Sequence, residues 1–194
     1  ETPFMRIEFS PDGHITAIKD KQSGLDLLAS NRRHAPFVPV YEVTPVADRT
    51  GANMADVRRS FGRNRKGADV QRFAGKVADL RLPGTRHHFI PVEIDYTLEG
   101  TEWVRVQLKI WRNLPRIDAT VTMQKKCIWE PENLYLALPF SLPESQLWLD
   151  KPGGPIRPWQ DQLPDTLTDW YCLQEGYGIC GKDLGIAVAT PDSP

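Results

Sequence analysis

The sequence predicts an all-β chain folded as an antiparallel β-sandwich, and three observations carry that prediction. Apolar and polar residues alternate strictly through two long stretches, 103–111 and 116–125, which is the period of a strand with one buried face. Turn-forming clusters recur along the chain at the spacing of a sandwich. Seventeen prolines among 194 residues, with no collagen-like period, leave little room for long helices.

The elements follow in order. Phe4 to Phe9 reads as a strand and Ser10-Pro11-Asp12-Gly13 as a turn, with Pro presetting φ and Gly accepting a positive one. His14 to Asp20 is the returning strand. Gln22-Ser23-Gly24 makes the next turn, and Leu25 to Leu28 is a short apolar piece. Phe37 to Val43 is a further strand, interrupted by Pro39. From Asp48 to Gly67 no apolar period is sustained, and six basic residues (Arg49, Arg58, Arg59, Arg63, Arg65, Lys66) crowd together. The segment 48–67 is expected to be a long surface loop with one helical turn near Ala55 to Arg59. Loops of that length in compact domains are uncommon and often functional.

The second half carries the clearest strands. In Trp103 to Trp111, Val104, Val106, Leu108 and Ile110 share one face. In Arg116 to Lys125, Ile117, Ala119, Val121 and Met123 do the same. Asn113-Leu114-Pro115 joins the two stretches, so an antiparallel hairpin is expected. Leu134 to Phe140 is nearly all apolar and reads as a central strand covered on both faces. Leu147 to Leu149, Leu167 to Leu173 and Leu184 to Ala189 supply more, about a dozen strands in all. Residues 1–194 are expected to form a single domain. The chain opens on Glu1 without an initiator Met, and a fragment of a larger protein is expected.

Composition excludes several classes. Net charge is −1, with +3 in residues 1–97 and −4 in residues 98–194. That balance is unlike a dedicated nucleic-acid binder, so no nucleic-acid partner is expected. No apolar run approaches the ~18 residues that span a bilayer, so no membrane partner is expected. Three cysteines, Cys127, Cys172 and Cys180, make no disulfide framework. They suit a reducing, cytoplasmic compartment.

Common catalytic signatures are missing: no phosphate loop, no Gly-x-Ser-x-Gly elbow, no His-Glu-x-x-His. Cys172 and Cys180 are too far apart for a zinc knuckle and read as small apolar residues on neighbouring strands. His87 and His88 resemble acid–base groups, but neighbours on a strand face opposite ways. They read as exposed residues at a strand start. The arginine-rich loop has Phe61 as its only aromatic, with Asp48, Asp56 and Asp69 diluting its charge, and a solvated loop is the stronger reading.

The segment 147–177 is richer. Trp148, Trp159, Trp170, Tyr171 and Tyr177 stand among Asp150, Asp161, Asp165 and Asp169. Flat rings beside carboxylates suit sugars, which have apolar C–H faces and polar rims. Two carboxylates about 5–10 Å apart would also serve glycoside hydrolysis. Against this, tryptophans of an all-β chain belong more often to the core, and aspartates more often form turns.

Four stretches together resemble a known family. Phe9-Ser10-Pro11-Asp12-Gly13-His14-Ile15-Thr16-Ala17-Ile18-Lys19-Asp20-Lys21, with Ser23-Gly24 and Leu27-Leu28, resembles the opening hairpin of the C-terminal β region of glycoside hydrolase family 38, the α-mannosidases. Trp111-Arg112-Asn113-Leu114-Pro115-Arg116-Ile117-Asp118 resembles its central hairpin. Glu130-Pro131-Glu132-Asn133-Leu134-Tyr135-Leu136-Ala137-Leu138-Pro139-Phe140 resembles the following strand. Trp170-Tyr171 through Gly185-Ile186-Ala187-Val188-Ala189-Thr190-Pro191-Asp192-Ser193 resembles the later strands.

The resemblance implies part of a galactose-mutarotase-like supersandwich. It implies that zinc and the catalytic aspartates belong to the parent's N-terminal barrel and helical bundle, with no cofactor and no catalytic residue in this chain. It implies two partners, the parent's barrel and carbohydrate. Asp48-Arg49-Thr50-Gly51-Ala52-Asn53 is similar to the loop by which the family's β region reaches the active-site rim, with Asn53 where the family has a Tyr. Asp48, Arg49, Asn53 and Arg63 are therefore expected to bind substrate, and Trp159 joins them as an expected substrate-binding residue from the aromatic segment 147–177. The expected function is a non-catalytic β-sandwich domain of an α-mannosidase-like hydrolase, inactive alone. The alternatives are a free-standing carbohydrate-binding module and a mutarotase-type epimerase using His87 or His88.

Overall fold

The computed structural model describes residues 1–45, 70–84, 86–166, 168 and 170–192. Among them the chain is all-β, of the β-sandwich class, with four antiparallel sheets and no helix. No helix of the described residues is long and apolar enough to cross a membrane. The expected 48–67 loop and its helical turn lie outside the described residues.

Contacts divide the chain into two compact units, Glu1–Asp26 with Arg33–Leu138 and Leu27–Arg32 with Pro139–Pro194. The first unit opens with the hairpin β1 (Met5–Phe9) and β2 (Ile15–Asp20). Its turn carries Gly13 at φ 84°, the conformation for which a glycine is needed there. A three-stranded sheet follows, with β3 (Pro39–Val43) between β4 (Gln71–Ala74) and β9 (Glu132–Leu136). A four-stranded sheet runs β5 (Lys76–Arg81), β6 (Phe89–Thr97), β7 (Thr101–Trp111), β8 (Ile117–Lys125) in order.

The alternation read from β7 is realised: Val104, Val106, Leu108 and Ile110 are buried, while Trp103 and Lys109 are exposed. Val92, Ile94 and Tyr96 of β6 lie against them and, with Val40 and Tyr41 of β3, build the unit's core. Across the opposite face runs a polar ladder. Arg105 grips Asp95 at 2.7 and 3.1 Å, Arg81 reaches Asp95 at 2.9 Å, and Gln107 donates to Glu93 at 3.0 Å. Such a solvated face is normal for an antiparallel sheet. Gly75 and Gly100 mark close approaches inside this unit. A Cβ at Gly75 would meet Pro39 and Tyr96, and one at Gly100 would meet the ring of Tyr41. The Tyr41 hydroxyl donates to Glu132 at 2.7 Å, and burial with that acceptor pushes its pKa up.

The second unit holds a four-stranded sheet in the order β11 (Gly154–Ile156), β10 (Gln146–Lys151), β12 (Gly176–Cys180), β13 (Gly185–Ala189). Leu28, Leu142, Leu149 and Ile179 are its buried apolar residues.

Several expectations change. Leu134 to Phe140 is not a central strand. Its ordered part, β9, is an outer strand of its sheet and no more than half-buried. The strand ends at Leu136, and Phe140 forms an isolated bridge with Leu28. The short apolar piece Leu25 to Leu28 takes part in two isolated bridges, Lys19 with Asp26 and Leu28 with Phe140. The Phe37 to Val43 strand begins only at Pro39, because Phe37 takes φ 62°, outside the strand region. No strand forms among the described residues of Leu167 to Leu173. The apolar face of β8 is only half-buried, and Ala119 is exposed, because β8 is the outer strand. Cys172 lies outside any strand and Cys180 ends β12, and both are exposed.

Candidate functional site

The expected binding residues Asp48, Arg49, Asn53 and Arg63 lie outside the described residues. Trp159 is described, and the second unit builds a surface around it.

That surface begins where β11 ends. Arg157 and Asp161 close a short loop on each other. The Asp161 carboxylate accepts the backbone N–H of Arg157 at 2.8 Å and its guanidinium at 2.7 and 3.0 Å. The backbone N–H of Asp161 donates to the Arg157 carbonyl at 3.0 Å. Pro158 is buried. Trp159 stands at the apex with φ 65° and its side chain 66% exposed. A bulky residue at positive φ is uncommon and marks a constrained backbone. Strain of this kind clusters at binding sites, so the apex is a candidate site.

Three further groups fix the surroundings. Gln162 Oε1 accepts the backbone N–H of Trp159 at 2.9 Å and the Tyr171 hydroxyl at 2.7 Å, tying the apex to Tyr171, nine residues beyond Gln162. Lys151 donates to the Cys172 carbonyl at 2.5 Å and lies over the Tyr171 ring at 6.0 Å. Arg157 lies over the Trp148 ring at 5.5 Å. Trp170, adjoining Tyr171, is 63% exposed.

The core expectation for these tryptophans is therefore overturned. Trp159 and Trp170 present their rings to solvent, and only Trp148 is half-buried under a cation. Exposed, positioned indoles offer a flat apolar surface rimmed by polar groups, which is what a sugar ring needs. Tyr177 belongs to the support, and burial pushes its hydroxyl up to about 12.

Asp161 is not tuned as a general acid. A general acid of glycoside hydrolysis needs a raised pKa. Asp161 is the reverse: the Arg157 side chain and then its backbone N–H lower it to about 2. Because the folded pKa lies below the ordinary 3.8, the ion pair contributes order above that value. It is lost as pH falls through about 2. Carbon-detected NMR of the Asp161 carboxyl is expected to titrate near 2, with the Trp159 indole signal moving at the same midpoint. Titration of Asp161 near 3.8 would contradict the closed loop.

Sequence reasoning singled out Trp159 and Asp161 but missed Arg157, Gln162 and Lys151. Their signal was faint: Arg157 and Asp161 stand four apart, a spacing that carries no meaning outside a helix.

His87 and His88 are exposed, as read, but lie just before β6 and not within it. Strand alternation therefore does not separate them, and their Nδ1 atoms approach to 3.4 Å. Among the described residues no group of three or more His, Cys, Asp or Glu side chains is placed to hold a metal ion. No family model matches the chain, and no curated protein matches it.

Proposed function

We propose that the chain is a carbohydrate-binding, non-catalytic β-sandwich region of an α-mannosidase-like glycoside hydrolase. The observation that carries the sugar reading is the strained apex loop holding Trp159 in solvent, tied through Gln162 to Tyr171. The enzyme class rests on the ordered stretches that resemble family 38, and the all-β architecture is compatible with a part of a galactose-mutarotase-like supersandwich. In this reading the hydrolytic carboxylates and the zinc belong to the parent's barrel. Asp48, Arg49, Asn53 and Arg63 supply the contact to that barrel's substrate rim. The Arg157–Asp161 pair supports a binding role, since a carboxylate held at about 2 does not deliver a proton near neutral pH.

A free-standing carbohydrate-binding module is the second reading. It is favoured by the same exposed indoles, which need no barrel to face a ligand. Calorimetric titration of the purified chain with α-linked manno-oligosaccharides, beside a nitrophenyl α-mannoside turnover assay, tests the shared claim. Saturable binding without turnover is expected. Turnover, or the absence of binding to any neutral oligosaccharide, would overturn it. Binding unchanged by joining the chain to a family 38 barrel would favour the module.

A further inference from the structure

We propose that residues 86–88 and 112–116, at one end of the four-stranded sheet of the first unit, form a binding site for a tetrahedral oxyanion, phosphate or sulfate, free or carried by a small molecule. The site is independent of the sugar reading of the second unit. Strand pairing sets the two segments side by side. β6 begins by pairing Phe89 with Trp111 at the end of β7, and β8 begins by pairing Ile117 with Ile110. The residues just before β6 and those between β7 and β8 therefore share one sheet end. Two main-chain bonds shape it: Arg112 N–H donates to the His88 carbonyl at 2.9 Å, and Arg86 N–H to the Phe89 carbonyl at 3.0 Å.

The charge at this end is one-sided. The two segments hold Arg86, His87, His88, Arg112 and Arg116 and no acid. Asp118, next along β8, is already engaged. It accepts the Trp111 indole N–H at 2.9 Å and the Arg116 Nε–H at 2.5 Å. Arg86 and Arg112 form no ion pair among the described residues. Lys109, 5.7 Å from the Phe89 ring centroid, adds a further positive charge. Arg112 supplies a second observation: its Nε is buried with no hydrogen-bond acceptor. Native proteins rarely leave a buried donor unpaired, so this guanidinium calls for an acceptor that the described residues do not provide.

His87 and His88 face each other, Nδ1 to Nδ1 at 3.4 Å, with ring centroids 4.5 Å apart. Two ring nitrogens so placed could meet on a metal ion or on an anion. The arginines decide between them. Arg86 precedes His87 in the chain and Arg112 is bonded to the His88 carbonyl, so a cation meets repulsion where an anion meets attraction. No further His, Cys, Asp or Glu among the described residues completes a metal group. The shape of the ion follows from the donors. An arginine fork matches two oxygens of a phosphate or sulfate, and the remaining oxygens can accept imidazole N–H groups. A planar carboxylate has only two oxygens and leaves some of these donors unpaired.

Calorimetric titration of the full 194-residue chain at fixed pH and ionic strength tests the proposal, with inorganic phosphate, sulfate, acetate and glucose 6-phosphate as probes. Saturable binding of phosphate and sulfate is expected with a Kd of about 1 mM or tighter, and acetate about tenfold weaker or more. Glucose 6-phosphate bound more tightly than phosphate would identify an ester as the ligand, and weaker binding would identify the free ion. Arg112→Gln is expected to weaken phosphate about tenfold or more, and Arg112→Lys, which keeps the charge but not the fork, about threefold or more. Arg86 and His87 are exposed, so Arg86→Gln and His87→Gln should fold as the wild type and each weaken binding about threefold. Arg6→Gln, which removes an exposed partner of Glu8, should leave it unchanged. The absence of saturable phosphate or sulfate binding would overturn the proposal. So would binding that neither Arg112→Lys nor Arg86→Gln weakens, zinc bound at His87 and His88 without any anion binding, or attachment to anionic phospholipid vesicles alone.

Discussion

Gly100→Ala is expected to lower the stability of the chain by about 2–5 kcal/mol. Two costs combine. Gly100 holds φ 75° in the turn between β6 and β7, where a side chain costs about 1–2 kcal/mol. A Cβ there would also stand 2.5, 2.6 and 2.8 Å from the Cζ, Cε2 and Cε1 atoms of Tyr41. That ring is almost wholly buried and anchored by its hydroxyl to Glu132, so it has little freedom to retreat. Displacing it adds an overpacking cost of about 1–3 kcal/mol. Gly24 supplies the control: it has the same φ of 75°, and a Cβ added there would meet nothing within 4 Å. Gly24→Ala is expected to show only the conformational cost. Urea denaturation gives both values as midpoint shifts at constant slope. Equal losses at the two glycines would show that Tyr41 does not pack against the turn.

Trp159→Ala is expected to weaken oligosaccharide binding about thirtyfold while leaving the denaturation midpoint within the error of the wild type. The indole is 66% exposed, so its removal opens no core cavity. Its loss removes the apolar face on which a sugar ring would stack, and central Trp anchors of an interface typically contribute about 2 kcal/mol. Alanine at φ 65° is no more strained than tryptophan, so the loop held by Arg157 and Asp161 should survive. Calorimetry reads the affinity and the circular-dichroism melt reads the fold. Unchanged affinity would remove Trp159 from the site. A lowered midpoint would make it a structural residue.

The parts of the fold legible in the sequence are those where one face is buried and the other wet. β7 was readable because burial of Val104, Val106, Leu108 and Ile110 requires polar partners between them. The β1–β2 turn was readable because Pro11 and Gly13 can serve few other purposes there. β4 left no pattern, since all four of its residues are exposed and nothing selects their polarity. β12 was hidden by its glycines. Gly176 is needed where the β13 backbone at Val188 comes close, yet glycine weakens any strand signal. β9 misled because an apolar run looks the same in a central strand as in an outer one, and its position depends on pairing with β3. The candidate site was legible as residue types only. That Trp159 faces solvent follows from Arg157, Asp161 and Gln162 closing around it, a three-dimensional fact that spacing does not encode. Asp48, Arg49, Asn53 and Arg63 stand as expectations of the resemblance.

The central claim is that sugar is recognised on the 157–171 surface of the second unit. Its most direct test is an indole N–H NMR spectrum of the 15N-labelled chain, with six tryptophans to follow, recorded during titration with an α-linked manno-oligosaccharide. The signals of Trp159 and Trp170, assigned by single Phe substitutions, are expected to shift together and saturably, while that of Trp111, whose indole N–H is held by Asp118 at 2.9 Å, stays in place. Saturable shifts confined to Trp103, Trp111 or Trp129, or a titration that moves no indole signal, would contradict it.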